Sequence, residues 1–172
     1  MITQGNEKKL RMSSHKYEVR GMKEQIVKIS DSSEETFRIA FGLALEVNEP
    51  CLIGLTGEMG VGKTYFAKGF AEGLGVKELI TSPTFLGISE SYSGRFPFIH
   101  MDFYKKVVPK NLIEHFQRNK SVVLIEWIDN FKNVFKEKLN LDINVLIQYL
   151  KDKEGLILEN KREIVICHCE PT

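Results

Sequence analysis

The chain has 172 residues, 42% of them apolar and 27% charged, which describes an ordinary soluble globular protein with one domain and room for a real core. No apolar run approaches the ~18 residues of a membrane span, and the N-terminus is polar rather than a secretory signal. The net charge of +1 is uneven: residues 1–28 carry seven Lys/Arg against three Glu, which leaves −3 on the rest. A slightly acidic body argues against a domain that grips nucleic acid alone through a broad basic surface.

Residues 1–21 show no sustained periodicity and read as a disordered extension, with the domain spanning 22–172. Met22 precedes Lys-Glu-Gln-Ile-Val-Lys-Ile, a first strand. Ser32 and Glu35 have capping-box spacing ahead of an amphipathic helix over 36–45, which ends near Asn48-Glu49-Pro50. Residues 51–56 form a short apolar run of buried-strand type. A helix follows from Lys63 to Glu72 and stops near Gly73 and Gly75. Residues 85–92 and 96–103 flank Ser93-Gly94-Arg95 as a hairpin, and Pro109 opens a short helix through Asn119. Residues 121–125 are a second fully apolar strand, and 128–139 look helical. Residues 141–150, then 156–159 with 162–169, read as closing strands joined by polar turns. The fold class is therefore α/β: a single domain with a mixed sheet flanked by helices.

Three cysteines without C-x-x-C suggest reduced thiols in a cytoplasm. Cys167-His168-Cys169 invites a metal reading. On a strand, however, the two sulfurs face one side and His168 the other. Two converging ligands are too few for a structural zinc site, and two small apolar residues on a packed face is the plainer reading.

Gly57-Glu58-Met59-Gly60-Val61-Gly62-Lys63-Thr64 fits the phosphate-binding loop G-x-x-x-x-G-K-[ST] without a mismatch. Glycines let such a backbone wrap closely around a polyphosphate. Lys63 would reach the β/γ-phosphates, and the Thr64 hydroxyl would take a Mg²⁺ position. Strand, glycine loop and helix together put phosphate at a helix N-terminus, where free N–H groups and the dipole favour anions. The run Val122-Val123-Leu124-Ile125-Glu126-Trp127 ends four apolar residues in a carboxylate. It reads as the acidic strand beside the loop's strand, with Glu126 directed at the metal or the attacking water. Asp102, among aromatics in His100-Met101-Asp102-Phe103-Tyr104, suits a second acidic group there. His100 reads as a partly buried strand residue. In Thr81-Ser82-Pro83-Thr84-Phe85, two hydroxyl residues beside a stiffening proline could meet the γ-phosphate or metal, or form an ordinary turn.

Taken in order, these units resemble the TsaE (YjeE) family of small bacterial ATPases, over about residues 29–162. The pieces are Ser-x-x-Glu-Thr at 32–36, G-E-M-G-V-G-K-T with F-x-K-G-F-x-x-G-L-G after it, S-P-T-F, H-M-D-F-Y and L-I-E-W. The resemblance implies an α/β P-loop fold that binds ATP or ADP with Mg²⁺ and hydrolyses ATP slowly. It also implies TsaD-like and TsaB-like partners that modify adenosine 37 of tRNAs reading codons that begin with A. The tRNA would be met indirectly through that complex, by a protein that is monomeric alone. The family pattern implies Mg²⁺ on Thr64 and Glu126, phosphate on residues 60–63, and catalytic support from Lys63 and Asp102, the latter also near the metal. It further implies ATP contacts around Ser33 and Thr36 and at Arg162; Thr84, from the Ser82-Pro83-Thr84 segment, is a further candidate contact.

Three departures bear on that pattern. Tyr65 stands where the family has a second hydroxyl for the α-phosphate. Lys105-Lys106-Val107-Val108-Pro109 replaces the usual acidic segment, and Ile128 rather than proline follows Glu-Trp. Two other functions remain open: a small-metabolite P-loop kinase, and a nucleotide-responsive binding module with incidental hydrolysis. Little in the chain resembles an acceptor-binding lid, which weighs against the kinase.

Overall fold

The two fully apolar runs of the sequence form neighbouring strands at the centre of one sheet. In the computed structural model, which describes residues 22–83, 87–104, 109–130 and 140–169, β2 (Leu52–Thr56) runs parallel to β5 (Val122–Glu126), and both are buried along their whole length. The other strands are β1 (Met22–Ser30), β3 (Ile88–Ser91), β4 (Phe98–Asp102), β6 (Ile143–Lys151) and β7 (Ile157–Cys169). The sheet has seven strands in the order β1-β7-β6-β2-β5-β4-β3. Parallel pairing joins β6, β2, β5 and β4, and antiparallel pairs close both margins. The sheet is thus mixed, as expected.

Period-two alternation on β5 shows that both faces are covered. Val122 and Leu124 join a core with Phe66, Phe70 and Phe98 under α1 (Ser33–Glu46) and α2 (Lys63–Gly73). Val123 and Ile125 join Leu52, Ile99, Met101, Ile113 and Phe116 under α3 (Lys110–Arg118) on the other face. Each buried phenylalanine contributes about 1.5–3 kcal/mol of transfer free energy. Phe66 and Phe70, wholly buried on α2, therefore pin the helix that follows the glycine-rich loop at 57–62.

The start of α1 is fixed as its sequence predicts, with Ser32 Oγ accepting the Glu35 N–H at 3.1 Å. α1 and α2 then cross in close contact. A Cβ built on Gly69 would lie 2.2 Å from Phe37 O, and one on Gly73 would lie 2.6 Å from Phe41 O. Only glycine allows that approach.

The hairpin is shorter than its sequence suggests, and its connection is longer than Ser93-Gly94-Arg95. The connecting groups bond to the end of α2 and to α1 instead of to each other. Arg95 N donates to Leu74 O, Lys77 N donates to Ser93 Oγ, and the Arg95 guanidinium donates to Ala44 O. At the opposite margin, 156–159 and 162–169 are not separate segments. β7 is one thirteen-residue strand that pairs with both β1 and β6 from Arg162 onward and with β6 again at Ile157. The polar stretch at 160–161, with Asn160 at φ +60°, sits in an irregularity of the β6–β7 register between those pairs. Of the helix expected over 128–139, the described part is the helical turn at 128–130. The extension at 1–21, Thr84 and Phe85, and Lys105 to Val108 lie outside the described residues.

Candidate functional site

β2 ends at Thr56, and the chain turns through Gly57 into the loop. A side chain at Gly57 is excluded twice over: φ is +155°, and a Cβ would fall 2.3 Å from Ile147 O on β6. The loop therefore lies directly against the sheet's C-terminal edge, where open α/β sheets receive ligands. Val61 N donates to Glu58 O, and Gly60 and Gly62 both have positive φ. Gly62 is the residue before α2 and supplies no side-chain cap. The first N–H groups of an eleven-residue helix are thus left to an outside acceptor.

Lys63 opens α2 and folds back over the loop. Its ammonium donates to Gly57 O at 2.7 Å and to Glu58 O at 2.8 Å, and it lies 3.6 Å from the centre of the Trp127 ring. Burial pushes its pKa below the ordinary lysine value, while Glu126, Asp129 and Asp102 pull the other way. Asp129 was not singled out by sequence reasoning. Its Oδ1 is buried with no hydrogen-bond partner among the described residues, and its charge bears on Lys63. It follows the Glu-Trp pair closely, which is the only signal that could have marked it. Trp127 itself has φ +58° and packs on Tyr104 with ring centres 4.9 Å apart. That sharp turn directly after β5 swings the indole over Lys63.

Glu126 lies at the C-terminal end of β5, only 2% exposed. Its two oxygens have different partners. Thr64 Oγ1 donates to Oε2 at 3.2 Å, and His100 Nε2 is 2.9 Å from Oε1. The structure thus joins the loop and the acidic strand through a direct side-chain bond. His100 is not partly buried, as its position suggests, but wholly so. Asp102 is the register partner of Glu126 on β4. Its carboxylate accepts from Tyr104 N at 2.8 Å and from Ser82 Oγ at 3.2 Å, so Ser82 does reach this edge.

The remaining candidates surround the loop. Thr36 is buried, and its hydroxyl is engaged by Ser30 Oγ and Ser32 O. Its methyl carbon lies 3.8 Å from the position a Cβ would take on Gly62, so it offers the loop an apolar wall rather than a hydroxyl. Ser33 is exposed at the N-terminus of α1. Arg162 on β7 donates through Nε to Val61 O at 3.0 Å, with its guanidinium 4.4 Å from the Tyr149 ring centre. Met59 and Tyr65 are largely exposed, and Lys68 Nζ lies 5.2 Å from the Tyr65 ring centre. Cys167 is buried on the packed face, where burial raises its thiol pKa.

Thr64 and Glu126 offer hard oxygen donors, one hydroxyl and one carboxylate with Asp102 beside them, while His100 Nε2 is taken up by Glu126 Oε1. Among the described residues no group of three or more His, Cys, Asp or Glu could cage a metal. That donor set fits Mg²⁺, which keeps waters and takes one or two protein ligands together with substrate phosphates. It would not fit a transition metal that needs nitrogen or sulfur. An ammonium, a helix N-terminus and a carboxylate–hydroxyl pair at one sheet edge can bind a polyphosphate and neutralise its charge.

Comparison with known proteins identifies relatives of the chain. The family model "Threonylcarbamoyl adenosine biosynthesis protein TsaE" matches residues 30–155. The tRNA threonylcarbamoyladenosine biosynthesis protein TsaE of Bacillus subtilis is 41% identical over 97 residues, 55% of this chain and 61% of that protein. The corresponding protein of a Nostoc species is 32% identical over 123 residues, 67% of this chain and 74% of its own length. Among solved structures, the crystal structure of YdiB from Bacillus subtilis superposes with a TM-score of 0.67 at 28% identity. It covers 86% of this chain and 87% of that one.

Proposed function

The chain belongs to the TsaE family of tRNA threonylcarbamoyladenosine biosynthesis, and from that premise we propose that it is a Mg²⁺-dependent ATP hydrolase that supports threonylcarbamoylation of adenosine 37 in tRNA. It acts in the cytoplasm beside TsaB-like and TsaD-like partners and meets tRNA through them. The observation that carries this reading is the bond from Thr64 to Glu126, which unites the phosphate loop and the acidic strand beneath Lys63.

ATP phosphates lie against the first N–H groups of α2. Lys63 exchanges the carbonyls of Gly57 and Glu58 for phosphate oxygens, a charge-assisted bond in place of two neutral acceptors. Thr64 and Glu126 would hold Mg²⁺, which would supply charge stabilisation at the phosphate oxygens. Asp102, its carboxylate fixed by Tyr104 N and Ser82 Oγ, orients the attacking water. Arg162 braces the loop at Val61. Catalysis is positioning and charge neutralisation, without a covalent enzyme intermediate. Incubation with ATP labelled on the γ-phosphate tests the reaction class. Label should appear as inorganic phosphate, only with Mg²⁺, and faster when the partners are added. Label transferred to a nucleoside or sugar would mean a kinase instead.

A further inference from the structure

His100 is fully buried on β4, and the proposed reaction gives it no direct part. Its surroundings are nonetheless built around Glu126. Parallel pairing sets Asp102 opposite Glu126 and His100 opposite Leu124, so His100 and Glu126 share one face of the sheet. Phe98 stacks on the imidazole, with ring centres 6.3 Å apart and planes 23° apart, and holds its plane. Nε2 then meets Glu126 Oε1 at 2.9 Å, while Nδ1 is buried with no hydrogen-bond partner among the described residues.

That asymmetry assigns the tautomer. A proton on Nδ1 would leave a buried donor unpaired and aim the Nε2 lone pair at a carboxylate oxygen. A proton on Nε2 leaves only an unpaired acceptor and gives Glu126 a donor. We infer that His100 is a positioning residue whose Nε2–H holds Oε1 of Glu126, so that Oε2 stays directed at Thr64 and the metal. Resting on the reading of Glu126 as a Mg²⁺ ligand, this adds the group that orients it. A carboxylate 2% exposed cannot fall back on water to hold its rotamer. Without the imidazole, Oε1 is left a buried, unpaired acceptor, and the side chain turns away from Thr64.

His100→Gln, His100→Asn and His100→Leu separate this role from packing. A glutamine amide nitrogen can occupy the place of Nε2, whereas asparagine reaches only the place of Nδ1. ATP affinity is measured by calorimetry twice for each variant, in EDTA and in saturating Mg²⁺, with thermal unfolding alongside. The wild type and His100→Gln should show the same gain in affinity on adding Mg²⁺. His100→Asn and His100→Leu should keep their EDTA affinity within about twofold and lose about tenfold of the Mg²⁺ gain. Retention of the full gain by His100→Asn would overturn the inference, as would equal loss of EDTA affinity in all three variants. If His100→Leu does not fold, the glutamine–asparagine pair alone decides. A wild type with no Mg²⁺ gain at all would refute the metal reading of Glu126 and this inference with it.

Discussion

Alanine at Gly69 and alanine at Gly42 should move stability in opposite directions, although both replace a helical glycine. In either helix the substitution removes backbone freedom from the unfolded chain and gains about 0.5–1 kcal/mol. At Gly42 a new Cβ meets nothing within 4 Å, so that gain stands. At Gly69 the Cβ would fall 2.2 Å from Phe37 O, 2.8 Å from Phe37 C and 2.9 Å from Phe37 Cα. These are backbone atoms, so no rotamer change relieves them, and α1 must move off α2. Overpacking of this kind costs about 1–3 kcal/mol or more, which exceeds the propensity gain. Gly69→Ala should therefore lose about 1–2 kcal/mol and Gly42→Ala gain about 0.7 kcal/mol. At about 2–4 °C per kcal/mol for a chain of this size, their melting temperatures should differ by roughly 3–11 °C. Far-UV circular dichroism on heating reads this directly. Because Thr36 on α1 walls the loop at Gly62, ATP affinity should also fall in Gly69→Ala and not in Gly42→Ala. Equal stabilisation by both substitutions would refute the close helix crossing.

Cys51 gives a pH test. Burial first, then the charges of Asp142 and Glu49, push its thiol from 9.0 up to about 12. At pH 8 roughly one molecule in ten thousand then carries the thiolate, so alkylation by iodoacetamide should be far slower than for glutathione until the chain unfolds. Since the folded pKa lies above the unfolded one, the stability contributed by this group is present below pH 9 and is lost as pH rises from 9 toward 12. Arg162→Ala should weaken ATP binding about tenfold by calorimetry, the equivalent of one lost charged hydrogen bond, through release of Val61.

Much of this structure was legible because its elements carry local signals. Ser32 and Glu35 marked the start of α1, and unbroken apolar runs marked β2 and β5, which pair in parallel at the centre of the sheet. Gly57, Lys63 and Thr64 were picked out by motif spacing, and Glu126 by the apolar run it ends. What sequence could not supply came from pairing between distant segments. β7 reads as two pieces because Asn160 and Lys161 are polar, yet β6 pairs with it on both sides of them, at Arg162 and at Ile157, so the strand runs on through an irregularity. His100 looks like a half-buried strand residue until β4 is set beside β5, when it meets Glu126. Asp129 shows its bearing on Lys63 only once the turn at Trp127 folds it inward. That Ser30 and Ser32 engage the Thr36 hydroxyl while its methyl faces the loop emerges only from the fold.

The most direct test of the account is whether this nucleotide site drives tRNA modification. In bacteria depleted of their own TsaE, wild-type protein and Lys63→Ala are expressed to equal levels, and threonylcarbamoyladenosine is quantified in hydrolysed tRNA by mass spectrometry. The account predicts restoration by the wild type and none by Lys63→Ala. Restoration by Lys63→Ala equal to that of the wild type would contradict it.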